Sequence, residues 1–427
     1  MAIRAVTARS ILDSRGIPTI ETTVTTDKVA ATASVPSGTS TGSHEAKELR
    51  DEDRRWQGKG VAKAVSHVNA ELSHTLRGKD VFDYEALDTA MSALDGTPDK
   101  SRLGANAILS VSLACVRAAA LSKGKELWKF VGTHAGNKSP VRTPLPLCNV
   151  INGGAHADNP LAIQEFMLVP HGFNKFSEAV RAATETFHSL GKLLKGRGAG
   201  TGVGAEGGYA PNLDNHRIAL DMMMEAIREA GYEPGKQISL ALDVAASEFY
   251  RDGSYVFEGQ PLTAEQMTAF YGELLDSYPL FSIEDPLAED DWEGWEHLAS
   301  RLRDRVQLVG DDLTVTNTER VEEATRRDVL TAAILKPNQV GTYTETLAAF
   351  RKLTEAGNHA IISHRSGETN DDFIADLAVG WGASQIKAGS VSRGERVAKY
   401  NRLLEIDQQL GGNAVFAGPE LAKGKRG

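Results

Sequence analysis

Six short apolar runs in the second half of the chain each end on a residue able to do chemistry. They are SLALD ending at Asp243, PLFSIE at Glu284, RVQLVGD at Asp311, AAILK at Lys336, AIISH at His364 and SQIK at Lys387. Three carboxylates in series, with no cysteine or patterned histidine beside them, form an all-oxygen donor set. Such a set suits a hard cation such as Mg²⁺, with water or substrate completing an octahedron. The other use of the same acids is ion pairing with basic neighbours, but three in series favour a metal. Lys336 and Lys387 extend the series on its basic side. A lysine serves as a base only when neutral, and a metal and a second ammonium nearby lower its pKa. A salt bridge from lysine to the acids is the alternative that the same order along the chain allows.

The run SHRSGET, residues 363–369, places His364, Arg365 and Ser366 at a strand exit. A guanidinium, an imidazole, a hydroxyl and free amides together suit a phosphate or a carboxylate. Two glycine-rich loops add further candidates: NGGAHADN carries His156, with Glu165 in IQEF shortly after it, and VGAEGGYAP holds Glu206. Position alone leaves open whether these side chains react or cross-link their loops.

The elements that must hold these groups alternate between strand and helix. Each strand candidate is apolar along most of its length, as parallel strands covered on both faces are. Thr263 with Gln266, Thr316 with Glu319, and Thr342 with Glu345 each have capping-box spacing at a helix start. The segment after Thr263 puts Met267, Phe270, Tyr271 and Leu274 on one face, and that after Thr342 puts Leu347 and Phe350 inward before stopping near Gly357. Alternating β and α units with functional groups at successive strand ends point to a TIM-like barrel, whose active site lies at that one face. The first part reads as strands around residues 3–8 and 18–25, joined through DSRGIPT, followed by the helical stretch LGANAILSVSLACVRAAALSKG. We therefore expect an α/β chain with an α+β capping domain at 1–135 and a barrel domain at 140–427, divided within the Gly/Pro-rich stretch 131–143.

The totals agree with two domains: 427 residues accommodate a barrel of about 250 plus a smaller unit. A formal charge of −10 argues against a general nucleic-acid or anionic-membrane binder, leaving a small anion held by local cations or metals. The two cysteines, Cys115 and Cys148, have no CxxC spacing and fit packing roles in a reducing compartment. MAIRAVTARSILDSRG lacks the apolar core of a signal peptide, and no apolar run is expected to reach membrane-spanning length, so a cytoplasmic protein is the expectation. The tail AKGKRG reads as a solvated terminus.

Taken together, ARSILDSRGIPTIE, SVPSGTSTGSHEAKELRD, LGANAILSVSLA, NVINGGAHADN with IQEFM, GAEGGYAPN, LDVAASEFY, SIEDP with EDDW, VGDDLTVTN, LKPNQVGT, SHRSGETNDDFIADLAVG and QIKAG with RGERVAKYNRLLEI closely resemble the enolase (phosphopyruvate hydratase) family. They run in order over nearly the whole chain. The resemblance implies an enolase-type barrel opening ββαα beneath an α+β cap, and reversible dehydration of 2-phosphoglycerate. It implies Asp243, Glu284 and Asp311 as ligands of a first Mg²⁺, and Ser40 in the SGTSTG loop as a ligand of a second one together with substrate phosphate. Lys336 matches the general base and Glu206 the general acid, with Glu165 beside it; His156, His364, Arg365, Ser366 and Lys387 match substrate-binding positions. A phosphorylated carboxylate substrate and a homodimer or larger homo-oligomer follow from the same resemblance.

Three positions depart from the family pattern. Ala205 stands where Asp is usual before the catalytic glutamate, Pro337 follows the lysine base where an aliphatic is usual, and Ala388 follows Lys387 where Thr is usual. Losing the Asp removes a charge beside Glu206, and Pro337 removes an amide donor beside Lys336. They motivate an alternative, an enzyme of phosphonate metabolism resembling carboxyphosphonoenolpyruvate synthase. A non-catalytic binding protein is a further alternative.

Overall fold

A computed structural model describes residues 1–39, 42–136 and 141–424. The amino-terminal part is an antiparallel sheet of three strands, Ile3–Leu12, Pro18–Thr26 and Ala30–Ser34, paired in that order. Alternation along Pro18–Thr26 turns Ile20, Thr22 and Val24 inward, and the Thr22 hydroxyl meets Ser110 Oγ at 2.6 Å on the helix Ala105–Ser122. That helix corrects one expectation. By length and composition it is apolar enough to cross a membrane, yet 83% of it is buried inside the protein, where its alanines and serines let sheet and barrel approach closely.

Eight strands close the barrel. In spatial order they are Leu280–Glu284, Gln307–Gly310, Ala332–Leu335, His359–Ser363, Gln385–Lys387, Leu145–Asn152, Glu165–Val169 and Ser239–Asp243. Seven run parallel; Glu165–Val169 runs antiparallel to both its neighbours, and the two helices Phe176–Gly196 and His216–Glu229 follow it before the chain re-enters at Ser239. This is the ββαα opening. Its consequence for the site is geometric: an antiparallel strand starts where its neighbours end, so Glu165, the first residue of its strand, pairs with Asn152 on one side and Asp243 on the other. Asp243 is in turn level with Glu284. Three of the expected strands stop one residue short, at Gly310, Leu335 and Ser363, leaving Asp311, Lys336 and His364 as the first residues free of the ladder.

The helix starts follow the capping spacing in part. Thr263 and Gln266 form the reciprocal box at Ala264–Ser277. Thr342 accepts from the Glu345 amide, but the Glu345 carboxylate turns to Lys100 at 2.8 Å and to the Thr342 hydroxyl. Thr316 caps nothing. Asn317 caps Thr318–Arg326, because the Thr316 hydroxyl is already committed, accepting from the Lys336 amide at 2.8 Å and donating to Gln339 Oε1 at 2.6 Å. The expected inward faces are observed, with Met267, Tyr271, Leu274, Leu347 and Phe350 buried and Phe270 half-buried. Cys115 and Cys148 are buried as packing residues.

Helix Leu127–His134 enters the Gly/Pro-rich stretch and seats on the barrel helix Phe373–Trp381. The Trp128 amide donates to Asp376 Oδ1 at 3.0 Å, and Gly132 crosses Gly380 so closely that an added Cβ would lie 2.9 Å from the Gly380 carbonyl oxygen.

Candidate active site

The strand ends bring the predicted residues to one mouth. His156, Glu165, Glu206, Asp243, Asp311, Lys336, His364, Arg365, Ser366 and Lys387 line a single cavity there, and all of these except Lys336 are buried, Lys336 being half-buried. Glu284 joins them from beneath through Lys387. Ser40 lies outside the described residues.

The two lysines pair with the strand-end acids, the alternative that the sequence leaves open. Lys387 Nζ donates at 2.8 Å to Asp243 Oδ2 and at 2.8 Å to Glu284 Oε1, and it lies 3.2 Å from Glu165 Oε1. Lys336 Nζ donates to Asp311 Oδ2, while Gln339 Nε2 holds the other Asp311 oxygen at 3.0 Å. Burial works against the ammonium of Lys387, but Asp243, Glu165 and Glu284 more than offset it and hold its pKa well above the ordinary value. Lys336 is raised in the same way, burial being outweighed by Asp311.

Acidic oxygens able to hold a divalent cation gather at the same mouth. Glu284 Oε2 is buried without a hydrogen-bond partner, and burial together with the Asp243 charge pushes the Glu284 carboxyl well above its usual range. The two lysines leave this carboxyl oxygen without a partner, an oxygen that a hard cation would take. Among the described residues, two sets have ligand atoms within 4.8 Å of one another, His156 with Glu165 and Glu206, and Asp285 with Asp311 and Asp312; of the three expected ligands only Asp311 belongs to one of them. Asp285 has φ 41° and accepts from the amides of Asp311 at 2.9 Å and Asp312 at 2.7 Å, so it fixes the exit of the next strand. Burial and Asp311 push Asp312 up to about 8.

Next to Lys387 stands an acid–imidazole cluster. His156 Nδ1 lies 3.6 Å from both Glu165 Oε1 and Glu206 Oε1, and His364 Nε2 lies 3.5 Å from Glu206 Oε2. Asn149 Nδ2 donates to Glu206 Oε2 at 3.1 Å. Burial and the Glu206 charge raise Glu165 well above the ordinary carboxylate range, while Glu206, despite its burial, is held well below that range by His156, His364, Arg396 and Lys387, so the pair retains one proton and it rests on Glu165. Burial likewise holds His156 and His364 below the usual imidazole value, in the neutral form.

The loop carrying Arg365 and Ser366 lines the same cavity. Arg365 forks onto Glu45, with Nη1 to Oε2 at 2.8 Å and Nη2 to Oε1 at 3.2 Å, and the Ser366 hydroxyl meets Thr39 Oγ1 at 2.7 Å, with Arg15 Nη1 3.4 Å away.

Residues 3–131 match the family model "Enolase, N-terminal domain", and residues 140–425 match "Enolase, C-terminal TIM barrel domain". The chain belongs to the enolase family. A protein named Enolase from Acidothermus cellulolyticus (strain ATCC 43068 / DSM 8971 / 11B) is 51% identical over 430 residues, an alignment covering 100% of this chain and 99% of that one. Neither match favours the phosphonate reading.

Within the enolase frame the three departures are accommodated. Pro337 is the first residue of the short helix Pro337–Val340, where an amide has no intrahelical acceptor, so the expected loss of a donor costs no hydrogen bond. Ala388 is fully buried in the apolar core, and Ala205 offers its backbone carbonyl to Arg396 at 3.1 Å. Sequence reasoning missed Asp285, Asn149, Glu45 and Arg396, which contact the candidate site residues Asp311, Glu206, Arg365 and His364. The acidic doublets Glu284–Asp285 and Asp311–Asp312 are visible signals, whereas Arg396 sits in a polar helix stretch that reads as surface and is in fact 0% exposed.

Proposed function

We propose that this chain catalyses the Mg²⁺-dependent reversible dehydration of 2-phosphoglycerate to phosphoenolpyruvate, with Lys336 as base and Glu206 as acid. The observation that supports the assignment of roles is that two separate proton-handling groups line one cavity, Lys336 paired with Asp311 and the Glu165–Glu206 pair held by His156. A lysine base with one or two Mg²⁺ ions is the general pattern of the enolase superfamily.

Lys336 Nζ takes the proton from C2, and the C2 electron pair moves toward the substrate carboxylate. Lys387 remains a cation and offsets charge accumulating there. Glu206, drawing on the proton that its pair with Glu165 retains, protonates the C3 hydroxyl as the C3–O bond breaks, so water leaves and the C2–C3 double bond forms. Glu165 and His156 hold that proton supply in place, and Arg365 and Ser366, with His364 beside them, take the phosphate end. Asp243, Glu284 and Asp311 would hold the first Mg²⁺, and Ser40 with substrate phosphate a second. Bound there, the ions supply positive charge against the carboxylate of the substrate. Lys336 has to shed its proton first, and engaging the Asp311 carboxylate elsewhere removes the contact that retains it.

The same reading divides the chain into a cap, 1–135, and a barrel, 140–427, and expects a cytoplasmic homodimer or higher homo-oligomer, which light scattering on purified protein tests. The activity test is the absorbance rise of phosphoenolpyruvate when purified protein meets 2-phosphoglycerate and Mg²⁺. A fast signal, abolished by EDTA and in Lys336→Ala, is expected; no signal from folded protein would overturn the assignment.

A further inference from the structure

Arg396, in the first turn of helix Gly394–Leu410, is fully buried yet makes no hydrogen bond to a carboxylate; the nearest, Glu395 Oε1, lies 3.4 Å from its Nε. A buried guanidinium is costly unless its N–H groups are used. Here Nη1 donates to Nδ1 of His364 at 2.6 Å and to the Arg365 carbonyl at 2.6 Å, while Nη2 donates to the carbonyls of Ser366 at 2.5 Å and Ala205 at 3.1 Å. One side chain thus ties the loop preceding Glu206 to the loop that carries His364, Arg365 and Ser366.

A guanidinium has donors and no acceptor. His364 Nδ1 must therefore accept, and the ring proton of a neutral imidazole then sits on Nε2, the nitrogen facing Glu206 Oε2 at 3.5 Å. The packing beneath is equally specific. Gly389 has φ 79°, and a Cβ there would lie 2.7 Å from Arg396 Cδ, 2.9 Å from the Glu206 carbonyl oxygen and 3.1 Å from His364 Cε1. Glycine at 389 lets these three residues share one contact point.

We propose that Arg396 is a positioning residue for proton delivery to the leaving hydroxyl, fixing His364 as the Nε2–H tautomer and aligning Glu206 with the phosphate-binding loop. This deepens the proposed function and rests on Glu206 being the acid. Arg396 neither gains nor loses a proton. The C3–O bond breaks, Glu206 protonates the departing oxygen, and water leaves as the C2–C3 double bond forms.

The test separates the two halves of the reaction. Exchange of the C2 hydrogen of 2-phosphoglycerate with deuterated solvent reports proton removal by Lys336, and phosphoenolpyruvate formation reports the whole dehydration. In Arg396→Met, dehydration is expected to fall about 10²-fold while C2 exchange falls far less, so the exchange-to-dehydration ratio rises. Arg396→Lys, which keeps a charged donor, is expected to recover part of the loss. Both rates falling together at an unchanged ratio would overturn the proposal. Independently of any variant's folding, ¹⁵N NMR of histidine-labelled wild-type protein is expected to show His364 protonated at Nε2; an Nδ1–H tautomer would overturn it too. Glu206→Gln serves as the reference. If it leaves the ratio at the wild-type value, the acid assignment fails, while the tautomer result still decides the role of Arg396.

Discussion

Lys336, Lys387, Asp243, Glu284 and Asp311 stand at the ends of parallel strands, whereas His156 and Glu206 hang from glycine-rich loops and Glu165 begins the one antiparallel strand. The strand-built wall is held by ladder hydrogen bonds and by direct ammonium–carboxylate pairs. The loop-built wall has one ammonium contact, Lys387 3.2 Å from Glu165, and is otherwise held from outside itself, by Asn149 on Glu206 and by Arg396 on the loops around it. Rigid elements place charges with little help, while loops need dedicated supports. Departures from the family pattern therefore have different weight on the two walls: Pro337 and Ala388 sit where the ladder carries the geometry, and Ala205 where it does not.

The largest expected effects break this comparison directly. Lys336→Ala should lower kcat by about 10⁴-fold and stop C2 hydrogen exchange, because the first proton transfer is lost. Glu206→Gln should lower dehydration by about 10²- to 10³-fold with exchange surviving. Measured together by NMR and phosphoenolpyruvate absorbance, equal exchange-to-dehydration ratios in the two variants would show that the walls do not divide the reaction.

The same contrast explains what could be read before the structure. Strand-end residues are legible because an apolar run closing on Asp243, Glu284 or Lys336 carries its own signal, and successive runs imply a common face. Glu165 carries none, since its arrival at the mouth depends on the reversed strand, which only the pairing of Glu165 with Asn152 and Asp243 reveals. His156, Glu165 and Glu206 acquired roles through family resemblance, and Arg396 acquired none, because its partners are backbone carbonyls remote in sequence. Thr316 misled for a related reason: a tertiary hydrogen bond to Gln339 outweighed its local capping role.

A buried carboxyl away from both walls calibrates them. Asp88, in the cap, accepts from the Thr344 amide at 3.0 Å and hydroxyl at 2.7 Å, and burial pushes it up to about 6 with no cation to offset it. The folded state then binds the proton more tightly than the unfolded chain, so the favourable contribution is present below about pH 4 and lost as pH rises through about 6. Relative to Asp88→Asn, wild-type stability in urea should fall by about 2 kcal/mol from pH 4 to pH 7. A flat difference would mean that hydrogen bonds alone suffice, and that the ion pairs of the strand-built wall are less necessary than argued. Mg²⁺ probes that wall itself. At 100 times its dissociation constant it should stabilise wild type by about 2.7 kcal/mol. Glu284→Gln should abolish most of this and Glu206→Gln should keep it, as read by urea unfolding with and without the metal.

The smallest effects sharpen the comparison at the departures. Ala205→Asp places a like charge next to Glu206, which favours its protonated form and should move the alkaline limb of the kcat profile upward by about one pH unit. Pro337→Val restores an amide at the first position of a helix turn, where no intrahelical acceptor awaits it, and relaxes φ beside a lysine whose own amide is already held by Thr316. Stability should drop by about 0.4–1 kcal/mol through the unfolded chain, with kcat within about threefold of wild type. A loss of kcat beyond tenfold in Pro337→Val, with Ala205→Asp leaving the pH profile unmoved, would reverse the argument. The strand-built wall would then be the adjustable one, and the aim of Lys336 would depend on the proline that follows it.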